Sequence, residues 1–356
     1  MARIKRFAAM LAAAGATAGF CAAGASIKGG SNLTVPPAPP TVSRPAVVEL
    51  GRALFEDKRL SADGTISCAS CHQADQAFTD GRPVAEGIGR RGGTRNAPSL
   101  IGVGERATLT WDGRETRLEA QVLRPFVNGR EHGLADNAAL VAKVDGDPSY
   151  RHAFAIAFGD PKIDTDRVAA AVAAYLQTLS GGDSPYDRFA RGDRSALSES
   201  ALRGYQLFIG SARCAECHRV DGAKAAFTDD SFHRVRLGLP AMESRLPELT
   251  QRVVGLSTAE VDALIFDRPE IAALGRFLVT RDPRDIGAYR TPSLRNVGVT
   301  GPYMHDGSVA NLPDAVNVEV YYRTQTDGRP IAINLSDRAD LVEFLKALTD
   351  VRYLRP

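Results

Sequence analysis

The 356-residue chain is sparing with reactive side chains, with one tryptophan, four methionines, six histidines and five cysteines. Four cysteines fall in two short motifs and the fifth, Cys21, lies near the N-terminus, so no pair remains for a structural disulfide. Charge of one sign is lacking too. Loss of Arg3, Lys5 and Arg6 with a leader takes 44 basic residues to 41, against 42 acidic ones. Without a basic stripe, no nucleic-acid partner is expected. Strand-like alternation is scarce, which points to a mainly α fold. No membrane span is expected either, because the one candidate, Phe7 to Phe20, is short and rich in Ala and Gly.

That run instead reads as a secretory leader. Arg3, Lys5 and Arg6 make a basic start, and Ala23-Gly24-Ala25 offers a small-x-small cleavage site, giving a signal peptide over 1–25. Lipidation at Cys21 is the alternative, but the bulky Phe20 before it fits poorly. Residues 26–45, with Pro36-Pro37-Ala38-Pro39-Pro40 at their centre, read as a flexible linker.

The two motifs are Cys68-Ala69-Ser70-Cys71-His72 and Cys214-Ala215-Glu216-Cys217-His218. Each has the form of a c-type haem attachment site: two thiols for thioethers to the porphyrin edge, and an adjacent imidazole for the iron. A thioredoxin-like dithiol does not require the trailing His, and a zinc site would want a second nearby ligand pair. Two covalently bound haem c groups follow, and their attachment in an oxidising compartment agrees with export to a bacterial periplasm.

Around the motifs the chain repeats itself. Leu50-Gly51-Arg52-Ala53-Leu54-Phe55 precedes the first motif, and Leu202 to Phe208 the second. Phe78-Thr79-Asp80 is answered by Phe227-Thr228-Asp229, and Ala97-Pro98-Ser99-Leu100 by Thr291-Pro292-Ser293-Leu294. Thirteen residues past each Pro stand Trp111-Asp112-Gly113 and His305-Asp306-Gly307. The expected fold is therefore two cytochrome c-like haem domains related by internal duplication, over 46–180 and 195–356, joined near Gly181 to Ser198 and wrapped in long loops. Val168, Val172, Tyr175, Leu176 and Leu179 predict a helix after Asp164-Thr165-Asp166. Leu341, Phe344, Leu345 and Leu348 predict another behind Ser336.

A haem iron catalyses only if one axial position is open and a proton-handling group stands beside it. Between His72 and His132 there is no His or Met to close the first iron, and the interval holds Trp111, Gln121, Pro125 and Glu131. A carboxylate such as Glu131 can take a proton from bound peroxide and return it to the leaving oxygen, and Gln121 can orient that exchange.

These residues resemble the bacterial di-haem cytochrome c peroxidase family, including its MauG-type members, over roughly residues 46 to 350. In that family a Trp lies between the haems, with a Gln ten residues on, a Pro four after the Gln and the catalytic Glu ten after it. Trp111, Gln121, Pro125 and Glu131 reproduce this spacing. The resemblance also implies a calcium ion between the haems, held by the Asn96 side chain and the carbonyls of Thr300 and Pro302. It implies hydrogen peroxide as oxidant, with electrons from a small redox protein (cytochrome c or cupredoxin) or from a protein substrate.

One position departs from the pattern. Peroxide-detoxifying members place a Met ligand of the second iron fourteen residues after the His of the His-x-Gly segment, and here that position is Glu319. Fourteen after Trp111 is Pro125, the corresponding slot of the first half. MauG-type members use a Tyr. Tyr322, three residues on from Glu319 on the same helical face, is the first candidate, Tyr321 the second and Glu319 the third, with Met242 and Met304 more remote. A five-coordinate second iron is the alternative. An anionic oxygen would stabilise oxidised iron, whereas a thioether would raise its potential. Three activities remain open at this point: MauG-like oxidation of a partner protein, detoxification of peroxide, and non-catalytic electron carriage. His233 reads as a propionate or packing contact, and His132 and His152 have no assigned role.

Overall fold

The computed structural model describes residues 44–326 and 328–353. The expected leader, Cys21 and most of the expected linker lie outside them. Arg44 and Pro45, the last residues of the expected linker, belong to the first helix, α1 (Arg44–Glu56). Proline suits a first helical turn, where its missing N–H costs nothing.

The first half builds its core from α1 and five further helices. These are α2 (Cys68–Cys71), α3 (Leu118–Val127), α4 (Asn137–Asp145), α5 (Pro148–Phe158) and α6 (Thr165–Leu176). Asp164 caps α6 by accepting from the Arg167 N–H, as its position before the apolar stripe predicts. Val168 and Val172 on α6, Leu54 and Phe55 on α1 and Phe154 on α5 are all but fully buried in one cluster. Each such side chain contributes about 1.5–3 kcal/mol by leaving water.

The second half builds its core from α7 (Pro185–Ala190), α8 (Glu199–Ile209), α13 (Leu312–Thr326) and α14 (Leu335–Lys346), whose cluster centres on Phe208, Phe227 and Phe344. Asn334 rather than Ser336 opens α14. Its side chain accepts from the Asp337 N–H, and the Asp337 carboxylate accepts from the Asn334 N–H in return. The helices pair closely where a glycine permits it. A β-carbon at Gly51 on α1 would lie 1.9 Å from the Ala171 carbonyl oxygen, and one at Gly204 on α8 would lie 1.9 Å from that of Asp340.

Between α8 and α13 the second half carries a segment that the first half lacks. It holds α9 (Leu246–Val253), α10 (Thr258–Asp267), α11 (Pro269–Ala272) and α12 (Phe277–Thr280), around a separate small core of Leu249, Ile265, Ile271 and Phe277. Two short strands, β1 (Phe232–Arg234) and β2 (Ala288–Arg290), bracket the insert and pair antiparallel with His233 opposite Tyr289. Among the described residues they form the only sheet, and no helix is long and apolar enough to cross a membrane.

Candidate active site

Both Cys-x-x-Cys-His motifs present their His in the same way. The His72 N–H closes the α2 turn on the Cys68 carbonyl at 3.0 Å, and the His218 N–H does so on Cys214 at 2.9 Å. His72 Nδ1 lies 3.0 Å from the Phe78 carbonyl oxygen and His218 Nδ1 lies 2.9 Å from that of Phe227. Phe78 and Phe227 both take left-handed backbone, with φ of 59° and 51°. A carbonyl accepts only, so Nδ1 carries the proton and Nε2 keeps its lone pair for a metal. Burial holds both imidazoles neutral, and pushes His218 down to about 4.

Glu131 is fixed beside the first motif by backbone contacts on both sides. After α3 the chain turns at Asn128, whose carbonyl accepts from the Glu131 N–H at 3.0 Å, and the Glu131 carbonyl accepts from Ile88 at 2.9 Å. A β-carbon at Gly87 would lie 2.6 Å from Glu131 Cα, so only glycine lets these strands of chain touch. The next residues lead directly to the thiols: Cys71 Sγ is 3.8 Å from the Glu86 carbonyl oxygen, and Cys68 Sγ is 4.0 Å from His132 Nε2. Burial pushes the Glu131 carboxyl up to about 7, against the Arg114 guanidinium and a hydrogen bond from Asn128. Gln121, on α3, has its Oε1 buried without a hydrogen-bond partner. Pro125, in the last turn of α3, accepts at its carbonyl from His132 at 3.1 Å and has no side-chain donor atom to offer a metal. His132 itself is buried against Phe126, and His152 is exposed on α5.

Arg114 connects this site to the insert. It donates to the fully buried Asp112 at 2.9 Å, and its Nε lies 3.3 Å from Asp262 on α10. Arg124 on α3 also pairs with Asp262, and Arg130, next to Glu131, pairs with Asp267 at the end of α10. Thr94 and Arg95 donate to the carbonyls of Ile265 and Ala272 at 2.5 and 2.6 Å. None of these partners was visible in the sequence. The one available signal was the unequal interval between the repeated Phe-Thr-Asp and Pro-Ser-Leu segments, which is far longer in the second half.

A cavity of about 700 Å³ contains the second motif and reaches the seam between the halves. Cys214, Cys217 and His218 line it, and so do Trp111, Asn96, Thr300 and Pro302. The Trp111 Nε1–H donates to the Asn96 carbonyl at 2.9 Å, and its own carbonyl accepts from Arg290 at 2.9 Å. The tryptophan is thus hydrogen-bonded to chain from both halves. The Asn96 N–H reaches the His305 carbonyl at 2.9 Å, and its Nδ2 donates to the Arg82 carbonyl at 2.8 Å.

Of the candidate sixth ligands for the second iron, Glu319 and Met304 line this cavity. Tyr321 is 60 % exposed, and Tyr322 is half-buried and outside the lining. Met242 packs into the small core of the insert. His233, at the cavity margin, bonds Asp229 at 2.7 Å.

The lining fits a haem in charge as well as in ligands. Among the described residues Arg106, on the cavity lining, makes no ion pair, and burial together with the positive charge of Arg290 pulls it down to about 10 against the carboxylates of Asp230 and Glu105. Such a cluster calls for anions, and a haem brings two propionates.

The family model of the di-haem cytochrome c peroxidases matches residues 45–195. The chain is 32 % identical to the methylamine utilization protein MauG of Methylophilus methylotrophus, covering 87 % of this chain and 85 % of that one. It is equally 32 % identical to the cytochrome c551 peroxidase of Nitrosomonas europaea, over 85 % and 80 %. Among solved structures, a MauG-like protein associated with microbial copper homeostasis superposes with a TM-score of 0.70 at 33 % identity, covering 92 % of this chain and 98 % of that one. The di-haem peroxidase BthA of Burkholderia thailandensis gives 0.66 at 26 %, over 87 % of each. The chain belongs to the di-haem cytochrome c peroxidase family, whose members are peroxide-using oxidoreductases that carry two haems.

Proposed function

We propose that this chain is an exported, periplasmic di-haem peroxidase of the MauG-like kind, which uses hydrogen peroxide to oxidise a protein or small redox partner. The observation that carries the reading is the placement of Glu131, held by backbone contacts beside Cys68 and Cys71, where burial pushes its carboxyl up to about 7. The thiols of Cys68 and Cys71, and of Cys214 and Cys217, would hold the haems covalently, with His72 and His218 as proximal ligands. When bound, the first haem supplies an iron at which peroxide is activated. Glu131 receives a proton at its carboxylate and gives it back, which a pKa near the working pH favours. Gln121, with its Oε1 buried and unpartnered, orients that exchange. Pro125 keeps the first iron's slot free of a ligand.

Trp111 is the stepping stone between the haems. Its support is the placement on the seam, hydrogen-bonded to Asn96 and Arg290. Asn96 would also hold a calcium ion together with the carbonyls of Thr300 and Pro302, since all three line the same cavity and the bond from Asn96 Nδ2 to Arg82 leaves Oδ1 for a cation. The matched pairs of contacts in the two halves, His72 to Phe78 with His218 to Phe227 and Gly51 with Gly204, support their origin by duplication.

The second reading is peroxide detoxification with electrons from a small cytochrome or cupredoxin, favoured by the equal identity to a cytochrome c551 peroxidase. Rapid mixing of the diferric holoprotein with hydrogen peroxide tests the enzyme. We expect a fast absorbance change in the wild type and a loss of 100-fold or more in rate for Glu131→Gln, within the range that general acid–base groups supply. An unchanged rate in that variant removes Glu131 from the mechanism. Rapid turnover with a reduced cytochrome would select detoxification over oxidation of a protein substrate.

A further inference from the structure

Helix α13 turns one stripe towards the cavity of the second motif: Leu312, Ala315, Val316, Glu319, Val320 and Arg323. The spacing is that of a single helical face, and its middle is occupied by an acid. Arg323, one turn on, gives its guanidinium to the Arg213 carbonyl at 2.8 Å and to Glu216 at 3.0 Å. Among the described residues the Glu319 carboxylate makes no hydrogen bond or ion pair. The residue is half-buried on the cavity wall, and a carboxylate drawn partly out of water without a protein partner is placed to bind a cation or a metal. His218, with Nε2 left bare by its bond to Phe227, lines the same cavity.

The rival oxygen ligands are placed less well. Tyr321 lies about 200° around the helix from Glu319 and is 60 % exposed. Tyr322 sits at the edge of the stripe and does not line the cavity. In the first half the slot fourteen residues past Trp111 holds Pro125, which has nothing to coordinate with. In the second half the slot fourteen past His305 holds Glu319.

We propose that Glu319 is the sixth ligand of the second iron, with its carboxylate binding the metal that His218 also binds. The inference rests on the two-haem reading above. Formation of the bond is a ligand exchange: a carboxylate oxygen replaces the water that would otherwise take the sixth position, the water leaves to solvent, and no electron moves. A hard anionic oxygen stabilises ferric iron, so this haem is a poor electron store and suited to withdrawing electrons from a partner.

The test uses the holoprotein with haem content counted in every variant, and compares wild type with Glu319→Gln, Glu319→Met, Tyr322→Phe and Met304→Leu. Ferric spectra at low temperature and redox titrations are recorded without peroxide. We expect Glu319→Gln to change the spectrum of one haem only. Glu319→Met should give that haem thioether character and raise its midpoint potential, while Tyr322→Phe and Met304→Leu leave both haems as in wild type. The inference is overturned if Glu319→Gln leaves both spectra unchanged with two haems bound, or if Tyr322→Phe or Met304→Leu produces the change instead. Should the Glu319 variants lose the second haem, the near-infrared magnetic circular dichroism of the unaltered protein decides, since carboxylate, phenolate and thioether ligands give distinct charge-transfer bands. None of these readouts depends on turnover, so a failed peroxidase reading would appear separately, as holoprotein inert to peroxide.

Discussion

Gly87 lies flat against the backbone of Glu131, close enough that a β-carbon would fall 1.8 Å from the Arg130 carbonyl oxygen and 2.6 Å from Glu131 Cα. The atoms it would strike belong to backbone and cannot rotate away. Gly87→Ala must therefore displace the loop that carries the acid. We expect a loss of at least 10-fold in the rate of reaction with peroxide, with both haems still attached. Stopped-flow rates beside a haem count check this, and a wild-type rate would mean that the loop tolerates displacement.

The raised pKa of Glu131 sets a pH dependence. Its carboxyl is protonated below about 7 and ionised above, so the step in which it receives a proton from peroxide should accelerate as pH rises through 7. Arg114, the guanidinium that faces it, and the Asn128 side chain already oppose the shift. For stability the sign is reversed. The folded carboxyl holds its proton more tightly than the unfolded one, so its contribution is present at low pH and is lost as pH rises from about 4.5 to 7. Glu131→Gln should flatten the rate profile and gain melting temperature relative to wild type at pH 8.

Asp262 acts on the same group from a distance. It pairs with Arg114 at 3.3 Å and so offsets part of the positive charge that Glu131 meets. Asp262→Asn leaves that charge less balanced and should lower the apparent pKa of the rate profile by about 0.5 unit, equivalent to ~0.7 kcal/mol. An unmoved pKa in this variant would show that the Arg114 charge is screened from Glu131.

Trp111→Phe removes the bond from Nε1 to the Asn96 carbonyl and costs about 1 kcal/mol of stability. Its larger effect should be on electron exchange between the haems. After addition of one reducing equivalent, we expect redistribution between the two haem spectra to slow by 10-fold or more, while peroxide binding at the first haem is unaffected. Equal redistribution rates in both proteins would place the path elsewhere.

The parts of this protein that are local in sequence were legible in it. The motif turns, the Asp164 cap and the apolar faces of α6 and α14 need only neighbours within a few residues. Glu131 was legible as a candidate because a carboxylate in an interval without ligands has few other uses. Its pKa was not, since that depends on burial and on Arg114. Asp262 and Asp267 were invisible, because ion pairs between residues more than a hundred positions apart leave no spacing signal. The order of the candidates on α13 was obscure for a related reason. Glu319 and Tyr322 share a side of the helix by number, and only the packed cavity shows which of them it contains.

The insert that closes over Arg114, Arg124 and Arg130 also has a bearing on how the protein is made. Asp262 and Asp267 leave the ribosome long after His72 and Glu131, so the first haem-binding motif is complete before its cover exists. On the proposed function the chain is exported N-terminus first, so a haem joined to Cys68 and Cys71 during export would meet a rim still uncovered, and the arrival of helix α10 would close that window.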